Sequence, residues 1–191
     1  VPNKGEIDIK LDTNNYTITS QYYKTIPTKY VIRKYGYKPG KVVLTFDDGP
    51  DPEYTPRILD ILKREKVPAS FFVVGSMVEK NIPILKRIYD EGYEIGNHTF
   101  FHPDISTIGL ERVNLELNAT RKLIEPVTGH STILFRPPFN ADAEPQTLAE
   151  VIPVAESRRQ SYITIGESID PWDWQPGVTA DSIIARTIRQ K

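Results

Sequence analysis

From residue 41 onward, short apolar runs alternate with stretches whose apolar residues recur at helical spacing. "KVVLTF" is short, β-branched and ended by a turn, which predicts a buried strand. "YTPRILDILKREKV" predicts a helix with Thr55 as N-cap, Pro56 at the first helical position, and Ile58, Leu59, Ile61 and Leu62 on one broad face. The same alternation predicts a strand at "ASFFVVG", a helix at "NIPILKRIYDEGY" capped near Asn81, and a strand at "YEIG". It continues with a long helix over "LERVNLELNATRKLIEPVTG" stopped near Pro126 and Gly129, and a strand at "TILFR". A helix at "PQTLAEVIPVAES", a strand at "SYITIG" and a helix at "ADSIIARTIRQ" complete it. Strand–helix alternation at this spacing predicts right-handed βα units around a parallel sheet, open or closed into a barrel. Such sheets carry their chemistry at the C-terminal strand ends.

Residues 1–40 lack this rhythm and read as an N-terminal extension or linker, with "KYGYKPG" leading into residues 41–191. They hold seven Lys/Arg against three acids and six of the ten tyrosines, so the remainder is net acidic. A formal charge of −1 gives no footprint for nucleic acid or an anionic membrane, and no apolar run reaches the length of a membrane span. The absence of Cys excludes disulfides and thiolate metal sites. That absence fits an exported bacterial protein as well as many cytosolic ones, and because Val1 is not an initiator residue the chain reads as a processed or excised form.

Four polar clusters fall at predicted strand ends: Asp47 and Asp48, Asn97 to His102, Arg136, and Asp170 to Trp174. His98 and His102 stand four apart, a spacing that on a helical turn presents both imidazoles to one cation. One carboxylate of the Asp pair can complete a His-His-Asp set while its neighbour stays free to accept a proton. A bound cation would relieve the repulsion between the two aspartates. Taken singly, each feature has an ordinary reading: "DDGP" as a turn, the histidines as a solvated pair, Arg136 as a surface cation, the tryptophans as core. His130 sits in a polar loop without partner spacing.

With these clusters in view, the sequence resembles the polysaccharide deacetylase family, also called carbohydrate esterase family four or the NodB homology domain. "TFDDGP", "HTFFH", "RPPF" and "DPWDW" are similar to its first four motifs, in order, from about residue 41 to the end. The resemblance implies a distorted (β/α) barrel and metal-dependent removal of N-acetyl groups from amino-sugar polymers. It implies Asp48, His98 and His102 as ligands of one divalent ion, zinc by preference and Co2+, Ni2+ or Mn2+ otherwise. Asp47 would be the general base, Arg136 its partner, and the Phe139 main-chain N–H an oxyanion donor. Asp173 would tune the catalytic acid, with Trp174, Trp172 and Pro138 lining the substrate site. The family's fifth motif, a Leu-x-His supplying a proton donor on a closing strand, has no counterpart before "RTIRQK", so the barrel is expected to be incomplete at its C-terminal end and turnover weak. "IDPWDWQPG" also resembles versions fused to other carbohydrate-active domains. An extracellular or cell-envelope site of action, with an N-acetylated polysaccharide or oligosaccharide as partner, is the corresponding expectation.

Three rival readings share these residues. A sugar O-acetyl esterase would tolerate a poor acid better, because an alkoxide leaves more easily than an amine. An inactive relative would keep the metal and the tryptophan rim as a carbohydrate-binding surface. A two-metal phosphoesterase would need more clustered ligands than the sequence offers.

Overall fold

The computed structural model describes residues 6–15, 17–25, 30–33, 40–139, 145 and 147–190. Six parallel strands form one curled sheet, a half-barrel, in the order β3-β8-β7-β6-β5-β4. These are β3 (Val31–Ile32), β4 (Leu44–Phe46), β5 (Ala69–Val73), β6 (Glu94–Asn97), β7 (Leu134–Phe135) and β8 (Ile163–Ile165). Helices α1 (Tyr54–Glu65), α2 (Gly75–Lys80), α3 (Ile82–Asp90), α4 (Leu110–Thr128), α5 (Leu148–Arg159) and α6 (Ala180–Gln190) connect and follow them. A separate antiparallel hairpin joins β1 (Glu6–Asp12) to β2 (Thr17–Thr25). One strand of the barrel sheet therefore comes from the first 40 residues, since Val31 and Ile32 pair with Thr164 and Ile165. The linker expected at residues 34–40 lies, apart from Gly40, outside the described residues.

Strand alternation sorts side chains between two faces. On β5, Ala69, Phe71 and Val73 face the helices, where they join Leu59, Leu62, Leu85, Ile88 and Ile124 in one core cluster. Phe72 fills the barrel interior, and Gly96 on β6 makes room for it. A Cβ at Gly96 would come within 2.4 Å of the Phe72 ring. A second cluster joins Val113, Leu117, Phe135, Val154 and Tyr162, so one face of α4 packs into this cluster near its start and, at Ile124, into the first.

Local differences from the sequence reading have physical causes. Thr55 does not cap α1; it is buried inside the first turn. The preceding loop is held by Asp51, whose Oδ1 accepts from the N–H groups of Glu53 and Tyr54 at 2.8 and 2.6 Å. Ile61 is left exposed, so the buried stripe of α1 is narrower than its apolar pattern. Helix α2 has no counterpart in the periodic pattern, being a six-residue turn with one buried valine, Val78. The long helix α4 does end at Gly129, which adopts φ of 74°, a conformation glycine reaches without a Cβ penalty.

Candidate metal centre

Thr45 and Asp47, two apart on β4 and its continuation, point the same way, into the mouth of the half-barrel. Arg136, just past β7, meets them there and is only 1% exposed. Its Nη1 donates to Asp47 Oδ1 at 2.8 Å and to Thr45 Oγ1 at 2.9 Å. Its Nε and Nη2 donate to the carbonyls of Ile165 and Gly166 at 3.1 and 3.2 Å. The guanidinium lies 4.2 Å above the Phe72 ring, and Glu167 Oε2 approaches Nη1 at 3.9 Å. Arg136 is thus a buried, fully engaged cation, not the ordinary surface arginine that the sequence alone allowed.

Asp48 has φ of 68°, which turns its carboxylate away from that of Asp47. Its Oδ1 lies 3.4 Å from His98 Nε2 and 3.1 Å from His102 Nε2. The ligand atoms of the three residues lie within 4.8 Å of one another. These two contacts are the separations that donors make with each other when each sits about 2 Å from a shared ion. His98 Nδ1 donates to the Arg136 carbonyl at 2.7 Å, which turns Nε2 toward Asp48 and favours the tautomer that would bind an ion through Nε2. The donor set therefore fits a divalent ion.

The histidines reach this point without a helix. Residues 98–102 form a loop in which Thr99 and His102 have positive φ, 67° and 59°. Buried Glu116 on α4 shapes it, accepting from the Phe100 and Phe101 N–H groups at 2.7 Å each while Arg112 pairs with its other oxygen. Asn97 fixes the start of the loop, donating to the Leu117 carbonyl and the Tyr162 hydroxyl and accepting from Thr99 N–H. The sequence signal for Glu116 is an acid amid the apolar positions of a long helix, four residues after Arg112. The signal for Thr45 is its place two before Asp47 on the same strand.

Electrostatics separate the two aspartates. Burial holds the Asp47 carboxyl above its ordinary range, and the Arg136 charge only partly offsets it. Hydrogen bonds from His102 and then His98 hold the Asp48 carboxyl well below its ordinary range. The His102 imidazole is raised, chiefly by the same contact with Asp48.

Asp47, Asp48, His98, His102 and Arg136 converge, and Phe139 joins them, its exposed ring 4.7 Å from that of His102. Pro138 is buried beneath it. Trp172, Asp173 and Trp174 are exposed and lie in a segment that docks on α6. Arg186 stacks on the Trp172 ring at 5.6 Å and donates to the Pro171 and Trp172 carbonyls. Among the described residues, Asp173 makes no ion pair with Arg136 or with either imidazole of the cluster.

Residues 34–152 match the family model described as polysaccharide deacetylase. The chain is 34% identical over 184 residues to a peptidoglycan-N-acetylglucosamine deacetylase of Bacillus cereus, a match spanning 96% of this chain and 62% of that protein's length. It superposes on the crystal structure of the Bc1960 peptidoglycan N-acetylglucosamine deacetylase with a TM-score of 0.75 and 32% identity, over 85% of this chain and 72% of that one. It also superposes on BA3943 of Bacillus anthracis, a carbohydrate esterase family four pseudoenzyme, with a TM-score of 0.68 and 32% identity over 81% of this chain and 53% of that one.

Proposed function

The chain belongs to the polysaccharide deacetylase family, and from that premise we propose that it hydrolyses N-acetyl groups on an amino-sugar polymer of the cell envelope, such as peptidoglycan or a chitin-like glycan. The observation that carries this reading is the division of labour between neighbouring aspartates: Asp48 against two imidazoles, Asp47 against a buried arginine.

Asp48, His98 and His102 would hold one divalent ion, zinc by the nature of the donor set, with Co2+, Ni2+ or Mn2+ as substitutes. When bound, such an ion acts as a Lewis acid on the amide carbonyl and makes water easier to deprotonate near neutral pH. Asp47 is the proton acceptor. Its Oδ1 is engaged by Arg136, which leaves Oδ2 to take the proton of the attacking water. Burial raises its basicity, which suits a general base. The Phe139 main-chain N–H serves as a donor to the developing oxyanion. The amine leaves only once protonated, and returning the Asp47 proton to the amide nitrogen closes the balance as the C–N bond breaks. Trp172 and Trp174 offer exposed aromatic faces to sugar rings, with Asp173 between them.

Acetate release from N-acetylglucosamine oligomers and from peptidoglycan, with and without chelator, tests the proposal. Chelator-sensitive release supports it; no release from either substrate at full metal occupancy overturns it. The likeness to a pseudoenzyme favours a second reading, a glycan-binding relative without turnover, which saturable oligomer binding without acetate would identify.

A further inference from the structure

At the opposite end of the strands from the metal centre lies a cleft of about 310 Å³ that the proposed reaction does not use. It exists because β6 and β7 are joined by a single register pair, Asn97 with Phe135. Their N-terminal ends splay apart, bridged by Thr132 Oγ1 donating to the Ile95 carbonyl at 2.6 Å. The loops after α3 and α4 form its walls. Tyr89, in the last turn of α3, and His130, in the loop after α4, pack against each other with ring centroids 6.2 Å apart. Tyr93 and Ile133 add apolar surface, the latter 54% exposed, and Glu94 adds an acceptor. The His130 imidazole makes no hydrogen bond among the described residues.

We propose that this cleft is a second glycan-binding site, taking a neutral stretch of N-acetylated hexosamine polymer. The inference rests on the reading that the substrate is such a polymer. Three features select the occupant. The volume is within the range of small-ligand sites, roughly 300–1,000 Å³. Its lining mixes aromatic faces with Thr, Ser and His side chains and contains no Lys or Arg, so it suits a ring with one apolar face and a hydroxyl rim, and does not suit phosphates or uronates. Both bordering strands are interior to the sheet, so an extended peptide has no free strand edge to join. A polymer or wall mesh engaged here would raise the effective concentration of acetylated residues at the reactive mouth without entering the chemistry.

The test uses the full chain, stripped of metal by chelation so that the probe stays intact, and titrated with the N-acetylglucosamine pentamer while amide resonances are followed. Saturable shifts at Tyr89, Gly92, His130 and Ile133 are expected. Tyr89→Ala should weaken that binding about fivefold, the scale of losing one aromatic contact, and His130→Ala, which leaves Tyr89 in place, should weaken it as well. With metal restored, Tyr89→Ala should leave acetate release from short oligomers unchanged and raise KM for the insoluble polymer. Shifts confined to the loop of His98 and His102, or equal binding by both correctly folded variants, would overturn the second site. Acetate release without cleft shifts defeats the second site alone. Cleft shifts without acetate from any substrate defeat the proposed activity and leave the site standing.

Discussion

At the residue scale the informative contrast is between Asp47 and Asp48, adjacent in sequence and opposite in environment. Asp47→Asn keeps the shape and the Arg136 contact but removes the proposed proton acceptor, so acetate release should fall on the order of 10³-fold. Bound metal per chain, measured by elemental analysis, should not change. A matching loss of metal would show that Asp47 is a ligand and end its assignment as base. His102 supports a second prediction. Contact with Asp48 raises its pKa in the metal-free protein, and a metal requires the neutral ring. The stability this pairing lends is fully present below pH 6.5, the ordinary histidine value, and is lost as pH rises through the raised folded value. Metal competes with that proton, so affinity should climb with pH across this window and binding should release protons. Calorimetry in two buffers of different ionisation enthalpy reads the number directly. No buffer dependence near pH 6.5 would mean the ring is already neutral.

At the scale of elements, the helices and the order of strands can be read from periodicity, because amphipathic helices of about nine or more residues repeat their pattern often enough to be recognised. The strands stand where the apolar runs predict them but are shorter: β7 has two residues and β8 three. Their apolar flanks, such as Val42 and Val43, look like strand and lie exposed outside the ladder. The spacing of the two candidate ligands is legible, yet its cause is not the helical turn that the spacing suggests. His98 and His102 are brought together by a loop with two left-handed residues, and single-sequence patterns do not encode that geometry. What encodes it is remote: Glu116 on α4, receiving two loop N–H groups. Glu116→Ala removes the oxygen that both loop N–H groups share, which leaves them unmatched at a cost of about 1–3 kcal/mol. Metal affinity should drop about tenfold, as when a partner that orients a ligand is lost, although Glu116 is not itself a ligand. Unchanged affinity in a competition titration would show that the loop holds its shape without α4.

At the scale of the whole molecule, parallel βα architecture follows from the alternation of elements, whereas β3 is hidden because two residues of strand leave no periodic trace. What no sequence pattern reveals is how the open sheet keeps its curl. Strands β4 and β8 are separated in the sheet by β5, β6 and β7, yet Arg136 bonds to Thr45 on one and to Ile165 and Gly166 at the end of the other. It stacks on Phe72 between them, in space that Gly96 leaves free. One buried guanidinium therefore spans the interior chord of the half-barrel and also holds Asp47. The geometry of the proposed base and the curvature of the sheet rest on the same set of contacts. Arg136→Lys keeps the charge but cannot supply the planar fork that reaches both walls at once. It should destabilise the fold by about 3 kcal/mol, the order seen when a buried ion pair is broken. That corresponds to a fall in melting temperature on the order of 10 °C for a chain of this size. If Arg136 served only the base, the lysine variant would lose activity at unchanged melting temperature. If it served only the sheet, the folded fraction of that variant would keep full activity at low temperature. Loss of both, measured on the same preparation, is the outcome the clasp requires.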